Sequence, residues 1–460
     1  MSNPTTSKTI NRVMNFAMLN KLSSSYLLLV LFCLATTASY SQENDLSNAR
    51  VIKLEEATQL GIQNNRQLKI ANTNVAIANE DVSQAKSAKT PRLGLNMGYN
   101  YIGNPILYEG FYEKSTTVDY FNNQYAGSLV GSMPLYLGGA INNQIENQQL
   151  ITQIQETVVK MTEAEIKLAI AQQFFSLEKL YQEIEVTKQN IINTELRIKQ
   201  LKSRVANGQN LKSDLLRTEL QQSNFKVSIF QNVNNIKLVS NYLDILIGLP
   251  TDTILKPELL DNIVPSKEIS IEESLTEAYQ NRYEIKQSEI NVKLSESFLS
   301  TTKSGFKPNV NANFILNSQY PAQWPNYTDN TLNYWAAGVS LNWDISSFYN
   351  LKHRVSGDKL QIDKSNTQLE ATKDNIDKEV KKALVRYAEN KKNIPTFIKD
   401  VELAQNNYKI VKSRYDNDFA LISDMVDAEL QLNQAKISLI NANLDLIIQY
   451  YSLQYAMGKL

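Results

Sequence analysis

Residues 204–216 read RVANGQNLKSDLL, and residues 414–426 read RYDNDFALISDMV, which is the same pattern 210 positions later. A second pair of segments, 54–96 and 271–313, repeats at a constant offset of 217. Matched positions in this pair include Glu55/Glu272, Gln63/Gln280, Asn74/Asn291, Lys86/Lys303 and Pro91/Pro308. The sequence is therefore written twice, in copies of about two hundred residues. Because each copy mixes very long helices with a pair of short strands, the repeat predicts the wall of a tunnel rather than a globule.

The first 41 residues have the layout of a secretory signal peptide. Three basic residues precede an apolar run over 26–35, and small residues follow up to Ser41. We therefore expect cleavage near Ser41, with an uncleaved membrane anchor as the alternative. The only cysteine, Cys33, lies in this segment, so the mature chain is predicted to have neither a disulfide nor a thiolate metal site.

Composition excludes several classes of function. The sequence carries 47 basic and 47 acidic residues, so it offers no global positive field for nucleic acid. It contains one histidine, His353, and no GxSxG, HExxH or glycine-rich phosphate loop. We therefore predict that the protein is not an enzyme and holds no cofactor or metal. His353 itself is expected to be a surface residue.

Four short segments have the alternation of membrane-spanning strands. Beyond the leader no stretch approaches the roughly twenty apolar residues of a membrane helix, so a bilayer crossing has to use strands. The four segments are 91–101, about 125–136, 309–316 and about 334–344. Asparagine recurs at alternate positions, and an amide tolerates water on one side of a pore wall but needs a fixed partner in a packed core. Two exposed hairpins on a soluble protein are the alternative.

Four strands cannot close a barrel on their own, because every open edge in hydrocarbon leaves backbone groups unpaired. Three copies of the chain would supply twelve strands, an even number within the range of such barrels. The segments between the paired strands, 103–123 and 317–331, are rich in Asn, Tyr, Pro and Gly, and we expect exposed loops there. The sequence thus predicts an assembly of several chains.

The remaining sequence predicts very long helices. Residues 140–207 hold no proline and no internal glycine, and 68 residues at about 1.5 Å each span roughly 100 Å. Apolar residues recur seven apart, which predicts a left-handed supercoil with another helix. They are Ile154, Met161, Leu168 and Phe175, and in a new phase Ile184, Ile191, Ile198 and Val205. A turn at Asn207–Gly208 should return the chain as a second helix over 211–247.

The second copy predicts the same hairpin, with helices over 351–417 and 421–457. Pro395 removes one helical hydrogen bond, so we expect it to kink or break the first of these helices. Between the copies, residues 249–269 contain three prolines and predict an extended connector with a short strand.

A leader and two structural repeats account for the whole sequence. The leader is 1–41, and the repeats are 42–264 and 265–460. Each repeat begins with a helix, continues with a strand pair and ends with a helical hairpin, and the connector closes the first repeat. The strand pairs and hairpins cover, in order, 91–137, 140–248, 308–344 and 350–458.

Two turn motifs and one junction motif are specific enough to compare with a known family. The turn motifs are Arg204–Gly208 leading to Ser213–Asp214, and Arg414–Asp418 leading to Asp424–Ala428. The junction motif PLYLGG, Pro134–Gly139, stands at the exit from the second predicted strand. Together they resemble the motifs of TolC-like outer-membrane efflux proteins, and the resemblance covers nearly the whole mature chain, from about Val51 to Leu460.

The resemblance implies a mixed α and β membrane protein, with long antiparallel α-helical hairpins forming a periplasmic tunnel and four β-strands per chain contributing to a 12-stranded trimeric β-barrel. It implies location in the outer membrane of a Gram-negative bacterium, in contact with its lipid and extending into the periplasm. It also implies a homotrimeric, passive exit duct of a tripartite efflux or type I secretion system, which binds a periplasmic adaptor and an inner-membrane transporter. A periplasmic coiled-coil adaptor or scaffold without a pore is the alternative.

The resemblance further implies a gate beside the turns, where polar contacts close the periplasmic end in that family. The matching positions are Ser213, Asp214, Tyr415, Asp424 and Asp427. The last two lie three apart, hence on one helix face, and in a trimer two rings of three carboxylates would favour cations. Aspartates near a helix start also serve as caps, which is the alternative. The residues of the hairpin turns predicted to contact the adaptor are Asn207, Gly208, Asn417 and Asp418.

Two positions depart from the family pattern. Ala420 stands where a well-known member carries an arginine that locks the closed state. Asp418 replaces, in the second turn, the glycine that Gly208 keeps in the first. The lock of this protein is therefore expected to differ in detail.

Overall fold

The structure is a computed structural model, and it describes most of the chain after the predicted leader. The described residues are 46, 48–117, 121–258, 269–322 and 328–460. The predicted signal peptide, its cleavage position and Cys33 lie outside them. No helix among the described residues is long and apolar enough to cross a membrane.

Long helices and short strands alternate in both halves of the chain. The first half contains β1 (Arg50–Ile52), α1 (Leu54–Asn64), α2 (Arg66–Ser87), β2 (Arg92–Tyr101), β3 (Ile106–Glu109), β4 (Lys114–Thr117), β5 (Asn123–Leu137), α3 (Ala140–Ala206), α4 (Lys212–Ile247) and β6 (Leu255–Pro257). The second half contains α5 (Ile271–Asn281), α6 (Tyr283–Ser304), β7 (Asn309–Tyr320), β8 (Leu332–Asn342), α7 (Ser347–Asn350), α8 (Lys352–Asp416) and α9 (Ile422–Ala456). The mixed α and β fold predicted from the sequence is confirmed.

Contacts divide the chain into two compact units, which we call the turn unit and the sheet unit. The turn unit consists of Met1–Gln63, Ala169–Val264 and Asn390–Ile448. The sheet unit consists of Asn64–Leu168, Pro265–Glu389 and Gln449–Leu460. Each unit takes residues from both halves of the sequence, and the division into repeats at residue 264 stays a prediction.

In the turn unit, α3 and α4 run antiparallel. Glu183 accepts a hydrogen bond from Asn232 at 3.2 Å, and Lys202 forms an ion pair with Glu219 at 3.2 Å, so residues later in α3 meet residues earlier in α4. Phe174, Phe175 and Leu177 of α3 are fully buried in this unit. Phe175 belongs to the predicted apolar stripe, so part of that stripe lies in the core of this unit.

The connector between the repeats adds a strand to a small parallel sheet. β6 pairs with β1, with Ile52 opposite Pro257. The Tyr181 hydroxyl of α3 donates to the carbonyl of Leu255 at 3.0 Å, which fixes this strand against the helix. The short strand predicted within 249–269 is confirmed over its described part, while residues 259–268 lie outside the described residues.

The sheet unit is built on a four-stranded antiparallel sheet in the order β2–β5–β7–β8. The register shifts between Pro134 and Tyr136, where a bulge bends β5 at the edge of the junction motif. Gly138 follows with a positive φ of 64°, and a Cβ there would approach the carbonyl oxygen of Ser304 to 2.4 Å. Only glycine fits this position, since both the backbone conformation and the lack of space exclude a side chain.

The first loop between strands differs from the expectation. The sequence predicted an exposed loop over 103–123, but β3 and β4 form a separate two-stranded hairpin inside it. The hairpin is exposed, and Gly110 at its turn has a positive φ of 59°. A run rich in tyrosine and glycine predicts an irregular loop, but β-forming residues on both sides of a glycine also predict a hairpin.

We expected Pro395 to kink or break the helix; the break is wrong, and the kink stays a prediction. α8 continues through Pro395 as one helix of 65 residues. A proline in a helix interior costs about 3 kcal/mol or more. Most turns of this helix keep their hydrogen bonds, and Tyr408 and Val411 pack against the core of the turn unit. These contacts offset the loss of the one backbone N–H that Pro395 lacks, at an exposed position of the helix.

Candidate functional site

The first helix turn ends α3 with a paired hydrogen-bond pattern. The N–H of Gln209 donates to the carbonyl of Arg204 at 2.8 Å, and the N–H of Gly208 donates to that of Val205 at 3.1 Å. Gly208 has a φ of 69°. This is the Schellman motif, in which a left-handed residue satisfies the last carbonyls of a helix, and glycine adopts that conformation without strain.

The second turn repeats the motif without glycine. The N–H groups of Phe419 and Asp418 donate to the carbonyls of Arg414 and Tyr415, at 2.7 and 3.0 Å. Asp418 has a φ of 62°. Aspartate is one of the few residues other than glycine that enter this conformation at moderate cost. The departure from the family pattern noted in the sequence therefore leaves the turn geometry unchanged.

Asp418 also connects the two turns of the chain. Its Oδ1 accepts a hydrogen bond from Nη2 of Arg204 at 2.5 Å. This bond is the main cause that raises the pKa of Arg204. The carboxylate is exposed, so the pair is screened by water and contributes little to stability by itself. The residue that replaces the glycine thus supplies a contact that glycine could not.

Asp424 and Asp427 both lie exposed in the first turns of α9. Oδ2 of Asp424 accepts the N–H of Leu421 at 3.2 Å, which is the reciprocal contact of a capping box. The capping alternative therefore holds for Asp424. Asp427 is three residues farther and presents its carboxylate on the same helix face.

The other predicted gate residues lie beside the two turns. Ser213 is exposed, and Asp214 is half-buried and accepts a bond from Nδ2 of Asn210 at 3.5 Å. Tyr415 is buried in an apolar cluster. Burial raises the pKa of the Tyr415 phenol, the nearby charge of Arg204 opposes this shift, and Asp214 adds to it. The structure thus places Tyr415, Asp214 and Arg204 close enough to interact electrostatically. Asp424 is not part of this group, because its hydrogen bond is to the backbone at the start of α9.

A buried polar network lies deeper in the turn unit, and sequence reasoning missed it. Nη1 and Nη2 of Arg197 donate to the two carboxylate oxygens of Glu429, at 2.7 and 2.9 Å. Nε2 of Gln221 on α4 donates to Oε2 of Glu429 at 3.1 Å. Burial alone would lower the pKa of Arg197, but the hydrogen bonds and charge of Glu429 outweigh it, so the pKa is raised.

Two further polar contacts join α3 and α9, both on the side of this network away from the turns. Lys179 forms an ion pair with Asp445 at 3.1 Å, and Asn190 donates to Asn433 at 2.5 Å. Together with Arg197–Glu429 they form a series in which the residue numbers increase along α3 and decrease along α9, so the two helices run antiparallel. We call this series the α3–α9 ladder. It ties the first hairpin to the second within the turn unit.

One signal in the sequence pointed to the network. Glu219 and Glu429 occupy matched positions of the repeat, 210 residues apart. In the first copy Glu219 pairs with Lys202 on the surface, and in the second copy Glu429 is buried. The repeat identifies the two glutamates as matched positions, but whether such a glutamate and its partner are buried depends on which helix packs against them.

The four-stranded sheet has one amide-rich face and one apolar face. The register places Asn96 opposite Ser128 and Ser132 opposite Asn313. Nδ2 of Asn313 donates to Ser340 at 2.9 Å. The other face carries large exposed apolar side chains, namely Leu93, Leu95, Met97, Trp335, Val339 and Leu341. A sheet with these two faces suits a wall between water and lipid.

No group of histidine, cysteine or carboxylate side chains suited to a metal ion occurs in the described part of the chain. His353 is exposed on α8, as expected. The features that stand out are a sheet with a wet and an apolar face, and helices of 65 and 67 residues. Such an arrangement is typical of channel-forming proteins of the cell envelope.

Comparison with known families makes this class specific. A family model described as Outer membrane efflux protein matches residues 57–248 and 275–459, and the chain belongs to that family. The resemblance found in the sequence is confirmed, and so is the expected localisation in the outer membrane of a Gram-negative bacterium, extending into the periplasm. The protein is thus an outer-membrane efflux channel, and a periplasmic adaptor without a pore is not supported.

Solved structures share the fold. The outer membrane protein VceC of Vibrio cholerae matches with a TM-score of 0.70 and 16% identity, over 88% of this chain and 96% of that chain. The CmeC outer membrane channel of Campylobacter jejuni matches with a TM-score of 0.71 and 15% identity, over 88% and 85%. The MtrE outer membrane channel of Neisseria gonorrhoeae matches with 0.70 and 16%, over 88% of both chains. No curated protein matches the sequence.

Proposed function

We propose that three copies of this chain close their sheets into one twelve-stranded barrel through the outer membrane. The observation that carries this proposal is the pair of open edges, since β2 and β8 each have a neighbour on one side only within the described residues. In hydrocarbon these edges would leave backbone groups unpaired, and β2 of one copy beside β8 of the next satisfies both. Two copies would give eight strands, whose interior side chains fill, whereas twelve leave a channel.

The assembled protein is the passive exit duct of a tripartite efflux or type I secretion system. Amide side chains on the inner face keep the path wet and give it no shaped pocket for one substrate. Energy comes from an inner-membrane transporter, and a periplasmic adaptor joins that transporter to the duct. The adaptor contacts the exposed hairpin turns at Asn207, Gly208, Asn417 and Asp418.

The mouth of the duct is gated beside the turns. In the trimer, Asp424 and Asp427 form two rings of three carboxylates that favour cations. Ser213, Asp214 and Tyr415 hold the first hairpin to the second in the closed state. Asp424 also caps α9, and this role is compatible with the gate because its side chain stays exposed while it accepts a backbone hydrogen bond.

The proposal is tested on protein extracted from outer membranes with a gentle detergent. We expect a trimer by native mass spectrometry and stable conductance in planar bilayers. A monomer that does not conduct would overturn the proposal. A matched pair of variants tests the two faces of the sheet, because Leu95 and Asn96 are adjacent but point to opposite faces.

We expect Leu95→Arg to destabilise the assembly by about 2–4 kcal/mol, since it places a charge against lipid, and Asn96→Arg to leave the trimer intact. The thermal stability of the trimer in detergent measures both. Equal effects of the two variants would contradict the assignment of an inner and an outer face.

A further inference from the structure

The four long strands of the sheet carry a single charged side chain. Across β2, β5, β7 and β8 every residue is uncharged except Arg92, the first residue of β2. Asparagine, serine and glutamine supply the polarity of the sheet instead. The charge of this wall is therefore set at one position in each chain.

The register assigns Arg92 to the amide-rich face. Arg92 lies opposite Ser132, which lies opposite Asn313. The next residue, Leu93, lies on the other face, together with Gly131 and Phe314. A Cβ added at Gly131 would lie 3.3 Å from Cδ2 of Leu93 and 3.6 Å from Cβ of Phe314. Leu93 thus lies on the exposed apolar face, and Arg92, the preceding residue of the strand, lies on the opposite, amide-rich face.

Arg92 is exposed, and the space beside it is open. A Cβ added at Gly94 or at Gly338, which share its face, would meet nothing within 4 Å. Arg92 forms no ion pair among the described residues, so no carboxylate there neutralises it. A guanidinium is permanently charged and weakly hydrated, and one on an otherwise uncharged wall keeps its full effect on passing ions.

We propose that Arg92 is a selectivity-determining residue of the channel. This inference rests on the proposed trimer, in which three copies of Arg92 form one ring at the helix-side end of the barrel. A ring of guanidinium groups lowers the energy of anions and raises that of cations at that level of the pore. It acts in the opposite sense to the carboxylates of Asp424 and Asp427, so the pore has an anion-favouring ring as well as a cation-favouring one.

Cysteine chemistry tests the proposal sharply, because Cys33 is the only cysteine of the sequence. In a Cys33→Ser background, Arg92→Cys and Leu93→Cys place a thiol on adjacent residues of opposite faces. Each purified variant is treated with a positively charged or a negatively charged methanethiosulfonate, which forms a mixed disulfide and releases methanesulfinate. The measurement is the reversal potential in planar bilayers under a salt gradient, at low ionic strength where charges are least screened.

We expect Arg92→Cys to shift the anion-to-cation permeability ratio toward cations by roughly twofold to fourfold. The positively charged reagent should restore the original ratio, and the negatively charged one should shift it farther toward cations. Leu93→Cys should show no shift with either reagent, and Arg92→Lys should match the unmodified protein.

Two failures are distinguishable. If the unmodified protein forms no conducting trimer, the proposed function fails. If it conducts, but the Arg92→Cys variant keeps the original ratio before and after both reagents, the inference about Arg92 is overturned. An equal response of Leu93→Cys would also overturn it, because that result places both residues in the aqueous path.

Discussion

Arg197 on α3 and Glu429 on α9 lie 232 positions apart in the sequence and form a two-pronged ion pair with distances of 2.7 and 2.9 Å. The two side chains are 7% and 3% exposed. Burying both charges costs several kcal/mol per ion, and the close geometry and the added bond from Gln221 offset that cost. The pair therefore fixes which residues of α3 and α9 meet more than it adds to stability.

Removing one partner of this pair should strongly destabilise the turn unit. Glu429→Gln leaves Arg197 charged and buried without a counterion, so we expect a loss of about 3–5 kcal/mol in the stability of the turn unit. Hydrogen exchange of α9 amides measures this loss. Arg197→Met together with Glu429→Met should cost much less, because no charge remains buried.

The repeat provides a matched control for this variant. Glu219→Gln makes the same change at the matched position of the first copy, where the pair with Lys202 is exposed. We expect a loss of at most about 1 kcal/mol there. Similar losses for Glu219→Gln and Glu429→Gln would show that burial does not set the strength of these pairs.

Asp418 should be more sensitive to alanine than to glycine. Asp418→Gly loses the exposed bond to Arg204 but relieves a left-handed backbone, and these two changes, each of at most about 1 kcal/mol, nearly cancel. Asp418→Ala loses the bond and keeps the strain, so we expect a loss of about 1–2 kcal/mol. Thermal unfolding in detergent compares the two, with Gly208→Ala as the control that adds strain alone. A lower stability for the glycine variant than for the alanine variant would contradict this account.

Local patterns predicted the elements well, because each depends on neighbours in the sequence. The absence of proline and internal glycine over 140–207 placed α3 to within one residue of its observed end at Ala206. Alternating asparagines located β7, which continues four residues beyond the predicted 309–316. The predicted break at Pro395 does not occur, because the cost of one proline is local, whereas a helix of 65 residues is stabilised along its whole length.

The sequence alone does not predict which distant segments of the chain contact each other. The turn motifs and the aspartates near them were visible as repeats, but the α3–α9 ladder depends on the packing of helices whose residues are more than two hundred positions apart. Arg197 is one of many charged residues of α3, and its pattern does not distinguish it from the exposed Lys202. Only the packing decides which charge is buried.

Asp244 gives the turn unit a dependence on pH. Its side chain is fully buried near the end of α4, where Oδ2 accepts the N–H of Thr253 at 3.1 Å and Oδ1 has no hydrogen-bond partner in the described structure. Burial raises the pKa of Asp244 from 3.8 to about 6. The folded state thus binds this proton more tightly than the unfolded state between these two values. Stability therefore falls as pH rises from about 4 to above 6, by up to about 3 kcal/mol.

Thermal unfolding between pH 4 and pH 8 measures this dependence. Asp244→Asn cannot ionise, so we expect its stability to change less across the same range. Asp252→Asn should narrow the affected range without abolishing it, since the charge of Asp252 contributes to the raised pKa of Asp244. A profile for Asp244→Asn as steep as that of the unmodified protein would assign the dependence to other groups.

Alanine substitutions of Asp424 and of Asp427 should both lower the cation preference of the channel, but they should differ in their effect on protein stability. Replacing both with alanine removes the two proposed carboxylate rings, so we expect a lower cation preference in planar-bilayer recordings. Asp427→Ala alone should give part of this change at unaltered stability. Asp424→Ala should also cost about 1 kcal/mol, because the bond to the N–H of Leu421 is lost. Asp400→Ala, an exposed aspartate of α8, is the control and should leave the preference unchanged. Unchanged selectivity in the double variant would remove both residues from the pore mouth.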